Sequence, residues 1–107
     1  MENQKPPKAF TDFTTRFPGL DRAWREINDA GGEGPLDEKT RRLVKLAVSI
    51  GAMREGAVRS SVRKALAMGI SRDEIEQVIC LAAGTLGMPS TVAVYTWCRS
   101  ILESDPE

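Results

Sequence analysis

The sequence predicts an all-α domain of about six helices. Two observations predict it. Apolar residues recur every three or four positions in successive segments, the spacing that lines one face of a helix. No run alternates with period two for long enough to make a strand, and glycine- or proline-bearing breaks separate the periodic segments.

The elements follow in order. Phe10, Phe13 and Phe17 fall at i, i+3 and i+7, so a short first helix is expected to bury three rings as a core-covering arm, ended by Pro18-Gly19. Leu20, Ala23, Trp24, Ile27 and Ala30 mark a second amphipathic helix, with Asp21 near its positive end. Gly31-Gly32-Glu33-Gly34-Pro35 then forms the main internal linker. Asp37 is an N-cap for a third helix carrying Leu43, Val44, Leu46, Ala47, Val48 and Ile50. Apolar residues on nearly all its sides predict a central, buried helix, with Arg41, Arg42 and Lys45 as an exposed stripe or a cleft wall. Gly51 to Gly56 reads as the next break. A fourth helix carries Val58, Val62, Ala65 and Leu66 and ends at Gly69 as a glycine cap before Ile70. Ser71-Arg72-Asp73-Glu74 is a capping box opening a fifth helix with Ile75, Val78, Ile79, Ala82, Ala83 and Leu86. Gly87-Met88-Pro89 precedes the last helix, which carries Val94, Tyr95, Cys98, Ile101 and Leu102. The expected organisation is residues 1–34 as a helical arm with its linker, 35–103 as the main helical domain, and 104–107 as a frayed tail.

Composition narrows the chemistry. A length of 107 residues suits one domain, small enough to favour self-association. Fifteen basic residues balance fifteen acidic ones, which argues against a broad nucleic-acid footprint; the basic Arg59–Lys64 stretch is the one footing for such a role. Met1 to Ala9 is polar and lacks the apolar core of a signal peptide. The longest apolar stretch, Leu43 to Met53, is interrupted by Lys45 and is too short to span a bilayer, so no membrane association is expected. Cys80 and Cys98 are the only cysteines, outside any C-x-x-C pair; they fit reduced thiols in a cytoplasmic protein. Both lie on apolar stripes and are expected to be buried, with a Cys80–Cys98 disulfide left to geometry. The chain has no histidine, which removes Ser-His-Asp and Cys-His catalysis and the commonest metal ligand. No metal or cofactor is expected.

Three segments carry a family resemblance. Leu36-Asp37-Glu38-Lys39-Thr40-Arg41-Arg42-Leu43-Val44-Lys45-Leu46-Ala47-Val48-Ser49 resembles the opening helix of the carboxymuconolactone decarboxylase family, which includes the alkylhydroperoxidase D-like proteins. Val62-Arg63-Lys64-Ala65-Leu66-Ala67-Met68-Gly69-Ile70-Ser71-Arg72-Asp73-Glu74-Ile75 is similar to that family's next helix, glycine turn and capped helix. Gly87-Met88-Pro89-Ser90 is similar to its final turn. The resemblance implies an alkylhydroperoxidase D-like bundle around a central helical hairpin, assembled as a trimer or hexamer with sites near subunit interfaces. In the peroxidase-like branch a glutamate, a C-x-x-C pair and a histidine form the site. Carried over by spacing, the glutamate position is held by Arg42, the cysteine positions by Arg54 and Ala57, and the histidine position by Ser61. The decarboxylase branch lacks the cysteine pair but usually keeps the histidine, where this chain has Ser61.

Arg42, Arg54 and Ser61 therefore map to one remnant pocket on that fold, and two guanidiniums with a hydroxyl suit a small organic anion. The plainer reading of these residues, with Arg59 and Arg63, is a solvated helix face or salt bridges between subunits. Glu55 and Ser61 are the weak catalytic candidates; Glu55 is expected to pair with Arg54 or Arg59. Trp24, Tyr95 and Trp97 are assigned to core or subunit packing. The favoured expectation is a homo-oligomeric family member without thiol peroxidase activity that binds a small anion. The alternative is a decarboxylase or isomerase acting on a small organic acid through these Arg, Glu and Ser side chains.

Overall fold

A computed structural model describes residues 7–104. Among them are six helices: α1 (Lys8–Arg16), α2 (Pro18–Gly31), α3 (Glu38–Gly51), α4 (Glu55–Ala67), α5 (Arg72–Leu86) and α6 (Met88–Ser104). The described residues contain no strand. Residues 105–107 of the expected tail, and residues 1–6 of the polar start, lie outside them. Ser104 is the last residue of α6, where its hydroxyl donates to the Ile101 carbonyl. The chain divides between Leu36 and Asp37 into two compact units.

The first unit is the α1–α2 pair. Phe17 joins the helices and Pro18 occupies the first turn of α2, where its missing N–H costs nothing. Lys8–Asp12 and Arg25–Asp21 pair across single turns. Phe13 and Phe17 rings lie 5.1 Å apart, and the Arg16 guanidinium sits 4.8 Å from the Phe17 ring centre. The three phenylalanines are not buried, contrary to the spacing argument. Phe10, Phe13, Phe17, Leu20, Trp24 and Ile27 are all at least 40% exposed, and neither helix buries any residue. Helical periodicity defines a common face but does not supply a surface to cover it.

The second unit is the α3–α6 bundle. Helix α3 packs on α4 and α5, and α6 packs on α4 and α5. Leu46 and Ile50 of α3, Val58 and Val62 of α4, Ile75 and Ile79 of α5, and Val94, Cys98 and Leu102 of α6 form its core. Tyr95 and Trp97 pack against that core, as expected of them. Trp24 is exposed instead. Asp37 caps α3 by accepting from the Thr40 amide at 2.8 Å.

The α3–α4 turn lies within the predicted Gly51–Gly56 break and is shorter than it. Gly51 and Gly56 both lie inside helices, and the turn is Ala52 to Arg54. The Met53 amide donates to Ile50 and the Arg54 amide to Ser49, a Schellman closure with Met53 in the left-handed region at φ 54°. The α4–α5 turn uses the same closure with Gly69 at φ 88°: its amide donates to Leu66 and that of Ile70 to Ala65. The capping box then opens α5, with Ser71 accepting from the Glu74 amide and the Glu74 carboxylate accepting from the Ser71 amide. Gly87, at φ 84°, separates α5 from α6 alone, since Met88 and Pro89 already belong to α6.

Helix α3 is not buried all round. Leu46, Ser49 and Ile50 face the core, but Val44 and Val48 are 47% and 66% exposed. Its apolar pattern is that of a helix covered on two sides, and the α3–α6 bundle covers one.

Candidate functional site

Helices α3 and α4, joined by a three-residue turn, run antiparallel as a helical hairpin. This register places the expected residues. Arg42 lies near the start of α3 and Lys64 near the end of α4, so the two face each other at the open end of the hairpin. Electrostatic coupling between their side chains reports the same proximity. Ser61 is one turn before Lys64 on α4 and is buried. Arg54 caps the start of α4 at the closed end, and the helix between it and Lys64 spans roughly 15 Å at the α-helical rise. Arg42 and Ser61 therefore belong to one neighbourhood, and Arg54 stands at the far end of the same hairpin.

The polar chemistry concentrates at the open end. The Arg42 guanidinium is partly buried, and its Nε has no hydrogen-bond partner despite being inaccessible. Burial disfavours its charge, and Glu38 one turn earlier partly offsets that. Partial burial, then Arg42, Lys45 and Arg63, hold the Lys64 ammonium below its ordinary range. Lys64 as a whole stays exposed, next to the positive charges of Arg42, Lys45 and Arg63. Neither Arg42 nor Lys64 makes an ion pair among the described residues. The sequence reading passed over Lys64 as a site residue. The available signal was its place three residues after Ser61, on the same side of α4.

Glu55 pairs with Arg59, its carboxylate accepting from Nε at 3.0 Å and approaching the terminal nitrogen at 2.9 Å. It is thus held by a salt bridge along α4, one of the two partners expected for it. Both cysteines are free. Cys98 is buried on α6, and burial pushes its thiol up to about 11. Cys80 is exposed, which corrects the expectation of a buried structural thiol. Position 80 points away from the core that Ile75 and Ile79 enter from the same helix. No group of three or more carboxylate or cysteine ligands that would hold a metal occurs among the described residues. No helix among them is long and apolar enough to cross a membrane.

Fold and site together define an all-helical hairpin domain whose concentrated polar chemistry is cationic, built from basic side chains on its two central helices. The chain belongs to the Carboxymuconolactone decarboxylase family, whose sequence profile matches residues 18–99. Helix α2 falls inside that match, whereas the segments carrying the resemblance begin at Leu36. Among curated proteins the chain is similar to 4-carboxymuconolactone decarboxylase of Acinetobacter baylyi, with 31% identity over 94 residues. The alignment covers 88% of this chain and 64% of that relative, so the chain spans somewhat under two-thirds of the relative's length. No solved structure gives a significant match.

Proposed function

We propose that the protein is a homo-oligomeric member of the family that binds a small organic anion at Arg42 and Lys64 and has no thiol peroxidase activity. The buried, unpartnered Nε of Arg42 carries this reading. An unsatisfied buried donor costs about 1–3 kcal/mol, and more when charged. A carboxylate accepting from Arg42 and neutralising Lys64 would relieve both the missing hydrogen bond and the crowding of cations. The peroxidase reading lacks its parts: the positions of the thiol pair hold Arg54 and Ala57, Cys98 is buried with a raised pKa, and the chain has no histidine to relay a proton. A trimer or hexamer in the cytoplasm is the setting we assign, from the resemblance and from the two free thiols.

Calorimetric titration of the full chain with small mono- and dicarboxylic acids tests the binding. Saturable binding is expected in the wild type, weakened at least about tenfold by Arg42→Ala or Lys64→Ala and less by Arg54→Ala. Binding that Arg42→Ala leaves unchanged, or none across the acid panel, overturns the site. Peroxide with a thiol reductant should give no turnover above buffer; turnover abolished by Cys80→Ser would overturn the second half of the reading.

A second reading is favoured by the similarity to a 4-carboxymuconolactone decarboxylase. In it Arg42 holds a small organic acid and Ser61 lies near the reacting carbon, since Arg54 and Glu55 stand at the other end of the hairpin. Turnover of a lactone or keto-acid panel, abolished by Arg42→Ala, would select this reading over simple binding.

A further inference from the structure

We infer that Lys64 is an amine nucleophile that forms an imine with the carbonyl group of a small keto acid whose carboxylate is held by Arg42. The inference rests on the anion binding proposed above and names the substrate class of that site. Arg42 and Lys64 lie the same number of residues before and after Met53 of the α3–α4 turn, so the hairpin sets them abreast. Lys45 and Ser61 are matched in the same way, one turn nearer the closed end. All these groups stand on α3 and α4, within one compact unit. Arg42 and Lys64 divide a ligand between them. A guanidinium with a buried, unpartnered Nε recognises a carboxylate. A primary amine beside it recognises an electrophilic carbon. A small ligand that carries both groups close together is a keto acid.

The surroundings single out Lys64 as the reacting group. An amine attacks in its neutral form, which desolvation and neighbouring cations favour. Partial burial, then Arg42, Lys45 and Arg63, act on Lys64 in that direction. Among the described residues Lys64 makes no ion pair, whereas Lys8 and Lys39 are held in their charged form by Asp12 and Glu74. Ser61 is the other nucleophile type of this neighbourhood. It is buried on the core side of α4 with Val58, Val62 and Ala65, and the chain has no histidine to take its proton. The step balances without a further reactant. The nitrogen lone pair adds to the carbonyl carbon, a C=N bond replaces the C=O bond, and the oxygen leaves as water. Counted from the ammonium, two of its protons depart on that oxygen, one of them by way of solvent. The nitrogen keeps the third proton and the positive charge. The site is therefore equally cationic before and after capture, and the carboxylate on Arg42 keeps its charged neighbour.

Borohydride reduces an imine to a stable secondary amine, so the adduct can be mapped. The full chain is incubated with pyruvate and sodium borohydride, and its intact mass and peptide map are read. The wild type should gain a single reduced adduct, on Lys64. Lys64→Arg, which keeps the charge, should lower adduct formation at least about tenfold. The same variant should bind a carboxylate without a carbonyl group, followed by calorimetry, within about threefold of the wild type. Arg42→Ala should slow labelling by pyruvate about tenfold and leave labelling by acetone, which has no carboxylate, unchanged. An adduct spread over several lysines, undiminished in Lys64→Arg, or formed equally fast from pyruvate and acetone overturns this inference. If carboxylates still bind in those cases, it falls alone. No carboxylate binding together with no adduct at Lys64 overturns the anion-site reading beneath it as well.

Discussion

Cys80 and Cys98 lie on neighbouring helices that pack together, yet their surroundings separate them chemically. A thiol reacts as its thiolate, so a raised pKa and burial both slow it. Cys98 has both, being fully enclosed and pushed up to about 11. The coupling to Arg59, which lowers its pKa, is outweighed by desolvation. Cys80 is exposed and free. Native protein treated with an aromatic disulfide reagent near pH 8 should therefore release about one equivalent quickly, and two after denaturation. Cys80→Ser should abolish the fast phase and Cys98→Ser should leave it intact. Rapid reaction of both thiols in the native state would show that α6 does not pack as described. The sequence placed both cysteines on apolar stripes, which was right for Cys98 and wrong for Cys80. An apolar neighbourhood along the chain does not determine on which side of its helix a residue points.

At the scale of the element, the two Schellman turns form an internal comparison. Gly69 occupies the left-handed position after α4, and Met53 occupies the equivalent position after α3. An L-residue there costs about 1–2 kcal/mol relative to glycine. A Cβ at Gly69 would meet no atom within 4 Å, so backbone strain alone sets its cost. Gly69→Ala should thus lower stability by about 1 kcal/mol, and Met53→Gly should raise it by a comparable amount less whatever packing Met53 contributes. Chemical denaturation of both variants measures the two signs, and equal destabilisation by both would contradict the assigned turn geometry. These turns also show what was legible. Asp37, the Gly69 turn and the Ser71–Glu74 box announced themselves because capping depends on residue types at fixed short spacing. The α3–α4 break was legible between Gly51 and Gly56, but its turn could not be placed within that span because its left-handed residue is a methionine. The anion-site candidates Arg42, Arg54 and Ser61 were legible only through the family resemblance. The resemblance pointed to Ser61 and Arg42, but the meeting of Arg42 with Lys64 depends on the hairpin register.

Across the whole molecule, Lys39–Glu74 differs in kind from Lys8–Asp12, Arg25–Asp21, Arg59–Glu55, Arg72–Glu76 and Arg99–Glu103, each of which links residues one turn apart in a single helix. Lys39 begins α3 and Glu74 begins α5, so this pair ties together two elements of the second unit, beside the groove that the two helices form. The Lys39 hydrogen bond, then the Ser71 amide and hydroxyl, bring the Glu74 carboxyl from 4.5 to about 2. A carboxyl depressed on folding contributes stability that is fully present above its unfolded pKa and is lost as pH falls through its folded one. The window is therefore about pH 4.5 down to about 2. Asp37 and Glu103 are shifted in the same direction, by the Thr40 cap and by Arg99, and they add to the same acid loss. The thermal midpoint of the wild type should fall as pH is lowered through this window, and Glu74→Gln should fall less steeply while starting lower at pH 7. Lys39→Met should flatten the slope only in part, because the capping box that also depresses Glu74 survives it. Raising the salt concentration should act as Lys39→Met does, since both carboxylate and ammonium are partly exposed and open to screening. Identical acid slopes for the wild type and Glu74→Gln would show that the α3–α5 tie does not govern the acid stability of the bundle.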